Sequence, residues 1–348
     1  MKRALIITGL IVIAWSSVRY DDQAFFKYPV IHTTCVQSTV ALSPTLCFGP
    51  IEDAVLCASV VDSLLLTKVY SSDFSYVLRN LNTGETINSY LSAPSSLNDV
   101  VFDGRNVDIY DIASGCLTKV DITGAAMHDL DAEVDSIELN AGVFAPYTHV
   151  YRVYDNQVLA FDSANSICAD SLESIPKFIL FNSGGKKVRE FDCFKDIPLV
   201  PDKNWAFSTK GLMDATLCFD TDRKKMAFCM WHMPQINIMD LETGETFGVK
   251  LKGKNKFTHR RSEYHFVSVC SDSSHIYALY CGISEEKYHR MSEPNSLYVF
   301  DWAGNMLANY SLDALYTRVM LSGGKLYLER YEEDNWSLYS VSPDDMRQ

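Results

Sequence analysis

Beyond roughly the first twenty residues, apolar positions along the chain either alternate with polar ones or form short unbroken runs, and helical spacing is hard to find. One unit recurs: a β-rich apolar run, an Asn or Asp, a Gly-containing turn, then a second apolar run. It occurs at 76–84 (YVLRNLNTG), 107–115 (VDIYDIASG), 178–184 (FILFNSG), 236–244 (INIMDLETG) and 297–304 (LYVFDWAG). The turns Thr-Gly-Glu-Thr at 83–86 and 243–246 are identical. Branched and aromatic residues favour strands, while Asn, Asp and Gly accept the left-handed backbone of a tight bend, so each unit reads as a β-hairpin.

Taking Asn82, Asp111, Asn182, Asp240 and Asp301 as markers, with a weaker sixth unit at 336–341 followed by Ser342-Pro343-Asp344, the gaps are 29, 71, 58, 61 and about 41 residues. They centre on the length of a four-stranded blade with its loops. Four strands can be traced at 213–219, 225–230, 236–239 and 246–251, and again at 265–271, 276–281, 297–300 and 306–312. Runs such as 276–281 (IYALYC) are apolar on both faces and need cover on both sides. Sheets stacked radially around an axis supply that cover. The expected fold is therefore all-β: a six-bladed β-propeller of four-stranded antiparallel blades. The last unit offers only three strands, at 317–321, 325–330 and 336–341, so the N-terminal segment 33–42 is expected to supply the fourth and close the ring. The alternative is two β-domains divided near 198–203, which no Pro/Gly/Ser-rich linker supports.

At 348 residues with 47% hydrophobic and 22% charged residues, the composition is that of a soluble globular chain. The formal charge of −13 repels phosphate and argues against a nucleic-acid partner. Met1-Lys2-Arg3, the apolar run 4–15 and the small residues around Ala14-Trp15-Ser16 have the order of a secretory signal. Twelve apolar residues are too few to cross a bilayer, which takes about 20. The expected organisation is a signal peptide at 1–16, an N-terminal extension at 17–32 and the propeller at 33–348. That gives an exported protein of the periplasm or cell envelope with no transmembrane span in its mature part. None of the ten cysteines forms a CxxC pair. Cys218 and Cys229 flank the polar segment 220–225 almost symmetrically, making them the one pair to test for a disulfide; the alternative is two buried thiols.

Residues 264–282 (YHFVSVCSDSSHIYALYCG) and 296–312 (SLYVFDWAGNMLANYSL) resemble the TolB-like six-bladed propeller proteins exported by Bacteroidetes, in which an IYALY strand and a VFDWxGN turn occupy the penultimate blade. The likeness is strong over about fifty residues and topological elsewhere. It implies the fold, and a binding role without a defined chemistry. Many members carry a lipid-anchoring cysteine just after the signal; here the first cysteine is Cys35.

In a propeller, the loops joining second to third strands share one face with those joining successive blades, and such loops commonly carry function. On that face the segment 252–261 brings Lys254, Lys256, His259, Arg260 and Arg261 into an otherwise acidic chain. Trp231, His232, Tyr288, His289 and Arg290 lie in neighbouring loops. Arginine forks beside aromatic rings suit a carboxylate or an acidic sugar, whereas the bland alternative is a solvated charged loop. The acidic segment 128–135 fails the calcium-loop pattern, with Val134 where Gly is needed and Asn140 where Glu belongs. There is no GxSxG, HExxH or GxxxxGK[ST] motif. No cofactor is expected, although an axial calcium held by several blades would leave no linear motif. Two functions stand: a non-catalytic binding module for an acidic glycan, a carboxylate ligand or an envelope protein, and an axial-site metal-dependent hydrolase or lyase.

Overall fold

The computed structural model describes residues 25–33, 39–51, 55–70, 75–91, 101–111, 114–123, 133–139, 149–162, 176–195, 213–252, 263–332, 335–342 and 346. Their strands form six separate sheets, the blades of a β-propeller. Blade 1 is Val55–Val61, Leu64–Val69, Ser75–Asn80 and Thr86–Leu91. Blade 2 is Val101–Phe102, Asn106–Asp111, Cys116–Asp121 and Glu133–Glu138. Blade 3 is His149–Arg152, Val158–Asp162, Lys177–Phe181 and Lys187–Phe191. Blade 4 is Ala215–Asp220, Lys225–Met230, Gln235–Asp240 and Thr246–Leu251. Blade 5 is Glu263–Ser271, His275–Ser284, Ser296–Asp301 and Met306–Leu312. Blade 6 takes Arg318–Ser322, Lys325–Glu332 and Asn335–Val341 from the end of the chain and Thr45–Ile51 from its beginning.

The core lies in the seams between blades. In the strand Lys225–Met230, Met226, Phe228 and Met230 face the blade 3 cluster, while Ala227 and Cys229 face the blade 5 cluster. Both faces are buried, which is why this strand reads as an unbroken apolar run. Among the described residues each of the six seams holds one such cluster, and the last joins blade 6 to blade 1 through Trp336, Leu338, Val55 and Leu65. The ring is closed.

Closure differs from expectation in one respect. The closing strand is Thr45–Ile51, antiparallel to Asn335–Val341, and not segment 33–42. Instead Val30–Thr33 and Val40–Leu42 add as fifth, parallel strands on the outer edges of blades 4 and 5. Parallel addition needs no tight turn, so no hairpin signal marks it. The N-terminal part of the chain thus crosses three consecutive blades before blade 1 begins. Phe25 and Phe26 are fully buried against Phe161, Phe178 and Phe194, so part of the expected extension 17–32 belongs to the propeller core.

The repeated turns also correct two markers, moving Asn82 to Asn80 in blade 1 and Asp111 to Asp121 in blade 2. Asn80 and Asp240 end third strands, and each carboxamide or carboxylate Oδ1 accepts two backbone N–H groups of its turn. In blade 2 that position is Asp121, whose Oδ1 accepts from the N–H and the hydroxyl of Thr123; Asp111 ends the second strand. The series Asn80, Asp121, Asn182, Asp240 and Asp301 is spaced 41, 61, 58 and 61 residues, more even than the sequence suggested. After three of these markers, the next residue stitches the lower face together. Leu81, Ile122 and Leu241 donate from their backbone N–H to Ser63, Arg105 and Lys224 in the turn joining the first two strands.

Of the two readings for Cys218 and Cys229, the structure shows buried thiols and no bridge. Cys218 lies opposite Ala227 and Cys229 opposite Thr216, so the two cysteines are diagonal neighbours, and both are free. Diagonal positions are ~7–8 Å apart, beyond easy disulfide reach. Burial pushes the Cys218 thiol up to about 12, against the pull of a hydrogen bond from Ser271, and raises Cys229 well above its ordinary value. Neither has thiolate character at neutral pH.

Candidate functional site on the upper face

The upper face carries the connections between second and third strands and between successive blades. In blade 4 the first of these is the tight bend 231–234; in blade 5 it is a longer excursion containing a short helix, α1 (Glu285–His289). Two i,i+4 side-chain contacts brace the helix: His289 Nε2 lies 3.7 Å from Glu285, and Arg290 Nη2 pairs with Glu286 at 2.8 Å. The excursion ends at Asn295, a buried side chain whose Nδ2 donates to Tyr316 O at 2.7 Å and whose Oδ1 accepts from Tyr316 N at 3.1 Å. A buried amide with both ends paired holds the loop to the stretch that enters blade 6.

Four of the residues singled out in the sequence meet around one they omitted, Tyr264. Its ring centre lies 5.4 Å from those of Trp231 and His232, 4.8 Å from Tyr288 and 6.1 Å from His289. The Trp231 bend is fixed from two sides, since its N–H donates to Asp214 O and its carbonyl accepts from His265 N. His265 itself is buried with Nδ1 at 3.2 Å from the Tyr280 hydroxyl, a packing role. The basic segment leaves the described residues at Lys252, beside the outer strand of blade 4, and returns at Glu263, one residue before Tyr264. Lys254, Lys256, His259, Arg260 and Arg261 lie outside the described residues.

The inner end of this cluster is acidic. Asp214 Oδ1 is 3.8 Å from His149 Nε2 on blade 3, and its charge, with that of Glu285, reaches both His232 and Tyr264. Burial nevertheless lowers the His232 pKa, so the ring is neutral at physiological pH. Burial raises the Tyr288 hydroxyl, and the neighbouring Cys281, Tyr264, Tyr331 and Glu329 add to the rise. Tyr288 is therefore the link from the Tyr264 cluster to blade 6, where the Tyr331 hydroxyl donates to Val55 O of blade 1. Sequence reasoning missed Asp214 and His149 because each stands singly at the start of an inner strand with no spacing to mark it. Tyr264 carried a usable signal, its position directly after the basic segment.

Arg290 faces the other way, into a cleft of about 950 Å³ between blades 5 and 6. The excursion forms one wall, and blade 6 with its closing strand forms the other. Among the described residues no three His, Cys, Asp or Glu side chains are placed to hold a metal ion. Of the acidic segment 128–135, Asp135 lies on the outer strand of blade 2 and pairs with Arg152 at 2.9 Å. Among the described residues no helix is long and apolar enough to cross a membrane.

No protein-family model and no curated protein matches the chain. Solved structures do. Hydrazine synthase of Kuenenia stuttgartiensis aligns at a TM-score of 0.50 and 12% identity over 82% of this chain and 83% of that one. A luciferin-regenerating enzyme aligns at 0.49 and 11% over 84% and 95%. The C-terminal WD40 domain of Sif2 aligns at 0.41 and 11% over 83% and 70%. At such identities the likeness concerns the fold: the chain is a six-bladed β-propeller, an architecture suited to binding and interaction.

Proposed function

We propose that this chain is an exported β-propeller of the TolB-like kind, resident in the periplasm or cell envelope. It acts there as a non-catalytic module that binds an acidic glycan or a carboxylate-bearing ligand on its upper face, at the seam of blades 4 and 5. The observation that supports this reading is the convergence of Trp231, His232, Tyr288 and His289, from two blades, on Tyr264. In the sequence, the stretch 252–261, with five Lys and Arg residues in an acidic chain, ends three residues before Tyr264. Guanidinium groups bind carboxylates bidentately, and aromatic rings offer a flat surface to a sugar. The acidic inner end, Asp214 with Glu285, directs an anion outward toward the loop and away from the axis.

The test is titration of the full chain with oligogalacturonate. Arg260→Ala with Arg261→Ala weakens Kd by roughly tenfold or more, since a hydrogen bond to a charged group contributes about 1.5–3 kcal/mol. Raised salt weakens the wild-type Kd in the same direction. Melting temperature stays unchanged. Unaltered binding with a lowered melting temperature reassigns the two arginines to packing and ends this reading.

A further inference from the structure

The cleft between blades 5 and 6 is distinctive in how its charges are arranged. Arg290 and Arg330 line it, and so do Glu293, Glu332 and Asp313. Each of these already has a partner within its own segment. Arg290 pairs with Glu286, Arg330 with Glu332, Glu293 with Lys287, and Asp313 accepts the hydroxyl of Tyr316 at 3.0 Å. The Arg330 guanidinium also sits 5.9 Å over the ring of Tyr339, which lines the same cavity. With each charge matched by a neighbour, the cleft offers an ion little net attraction. A guanidinium has five N–H donors and a carboxylate about four lone-pair positions, so an ion pair leaves most of them unused. The walls therefore offer unused donors and acceptors at near-balanced charge, the complement of vicinal hydroxyls, which both donate and accept.

Rigidity supports the same conclusion. The Asn295 clamp on Tyr316 ties the excursion to the blade 6 entrance, and Asn295 N and O bond to Ala314 O and Leu312 N, so one wall is fixed before any ligand arrives. The volume, about 950 Å³, is at the upper end of the ~300–1,000 Å³ typical of small-ligand sites.

We propose that the cleft between blades 5 and 6, lined by Arg290, Arg330, Glu293, Glu332, Asp313 and Tyr339, binds an uncharged oligosaccharide. This goes beyond the reading above, which places an anionic ligand at the seam of blades 4 and 5; the two sites share the helix α1 and its flank as a common wall. Calorimetric titration of the full chain with short malto-, cello-, xylo- and chito-oligosaccharides, with oligogalacturonate as the charged comparator, tests it. One neutral series binds, with a Kd that does not change with salt. Ser292→Trp, on the exposed part of the excursion, fills the cavity and weakens that Kd more than tenfold. Glu332→Gln, which keeps shape and removes the charge, weakens it several-fold and serves if tryptophan disturbs folding. Arg260→Ala with Arg261→Ala leaves it unchanged. The proposal is overturned if none of the neutral series binds the wild type, or if Ser292→Trp and Glu332→Gln both bind as the wild type does. Saccharide binding lost in the double arginine variant and kept in Ser292→Trp overturns the cleft while leaving the blade 4–5 site standing.

Discussion

Blades 4 and 2 are built to the same plan and held by different forces. In blade 4 the second and third strands are buried along almost their whole length, and both faces are apolar. A fifth strand covers its outer edge, and its ion pairs, Arg223 with Asp220 and Lys224 with Glu242, sit at the turns. In blade 2 the second and third strands bury only two positions each, and the described inner strand is two residues long. Ion pairs supplement its smaller apolar clusters. Arg152 of blade 3 reaches across the seam to Asp108 at 2.8 Å and Asp135 at 2.9 Å, and Arg105 pairs with Asp121 at 2.6 Å. Every seam is apolar at its centre, and at blade 2 ion pairs across the seam add to a smaller core. The proposed ligand face lies over blades 4 to 6, where the N-terminal strands extend the outer edges of blades 4 and 5.

Substitutions can break or sharpen this contrast. Phe228→Ala has the largest expected effect. The ring is fully buried, 4.9 Å from Phe178, and its loss costs about 3–5 kcal/mol in denaturant unfolding. Ile109→Ala, at a half-buried position of blade 2, costs less than about half as much. Arg152→Met comes next. It strands the buried Asp108 carboxylate, whose pKa burial already raises despite Arg152, and costs about 3 kcal/mol; adding Asp108→Leu recovers most of that, because an apolar pair can replace a buried ionic one. Asn295→Ala leaves the Tyr316 backbone groups unpaired and costs about 1–3 kcal/mol, read as a lower melting temperature.

The smallest effect is at the repeated turn. Burial alone would raise the Asp240 carboxyl, but hydrogen bonds from Thr243 and Glu242 outweigh it and hold it below the ordinary carboxylate range. A depressed folded pKa means stability that is present above the unfolded value, near ~3.9, and is lost as pH falls through the folded one. Asp240→Ala therefore lowers the melting temperature slightly at neutral pH, and its gap from the wild type narrows in acid.

The same contrast explains what was legible in the sequence. Blades 4, 5 and 6 could be traced strand by strand because burial on both faces writes an unbroken apolar run. Blade 2 could not, since half-wet strands alternate, and two Asp-plus-Gly turns, after Asp111 and after Asp121, compete as markers; only the hydrogen bonds of Thr123 decide between them. The closing strand was expected from the missing fourth strand of the last unit, but its location was not. Segment 40–42 resembles a strand because it is one, added in parallel to blade 5. Loop position, a topological property that sequence carries, placed Trp231, His232, Tyr288 and His289 in neighbouring loops, and their rings do meet around Tyr264. The place of Asp214 and the blade 5–6 cleft arise from tertiary packing and leave no local pattern, whereas Tyr264 follows closely on the basic segment.

The central claim is that ligands engage the upper face of blades 4 to 6. Hydrogen exchange with and without oligogalacturonate measures this most directly. Slowed exchange at 231–234, 252–265 and 284–295, with no change at the lower turns 80–86, 240–246 and 301–306, is the predicted result. Protection confined to those lower turns would contradict it.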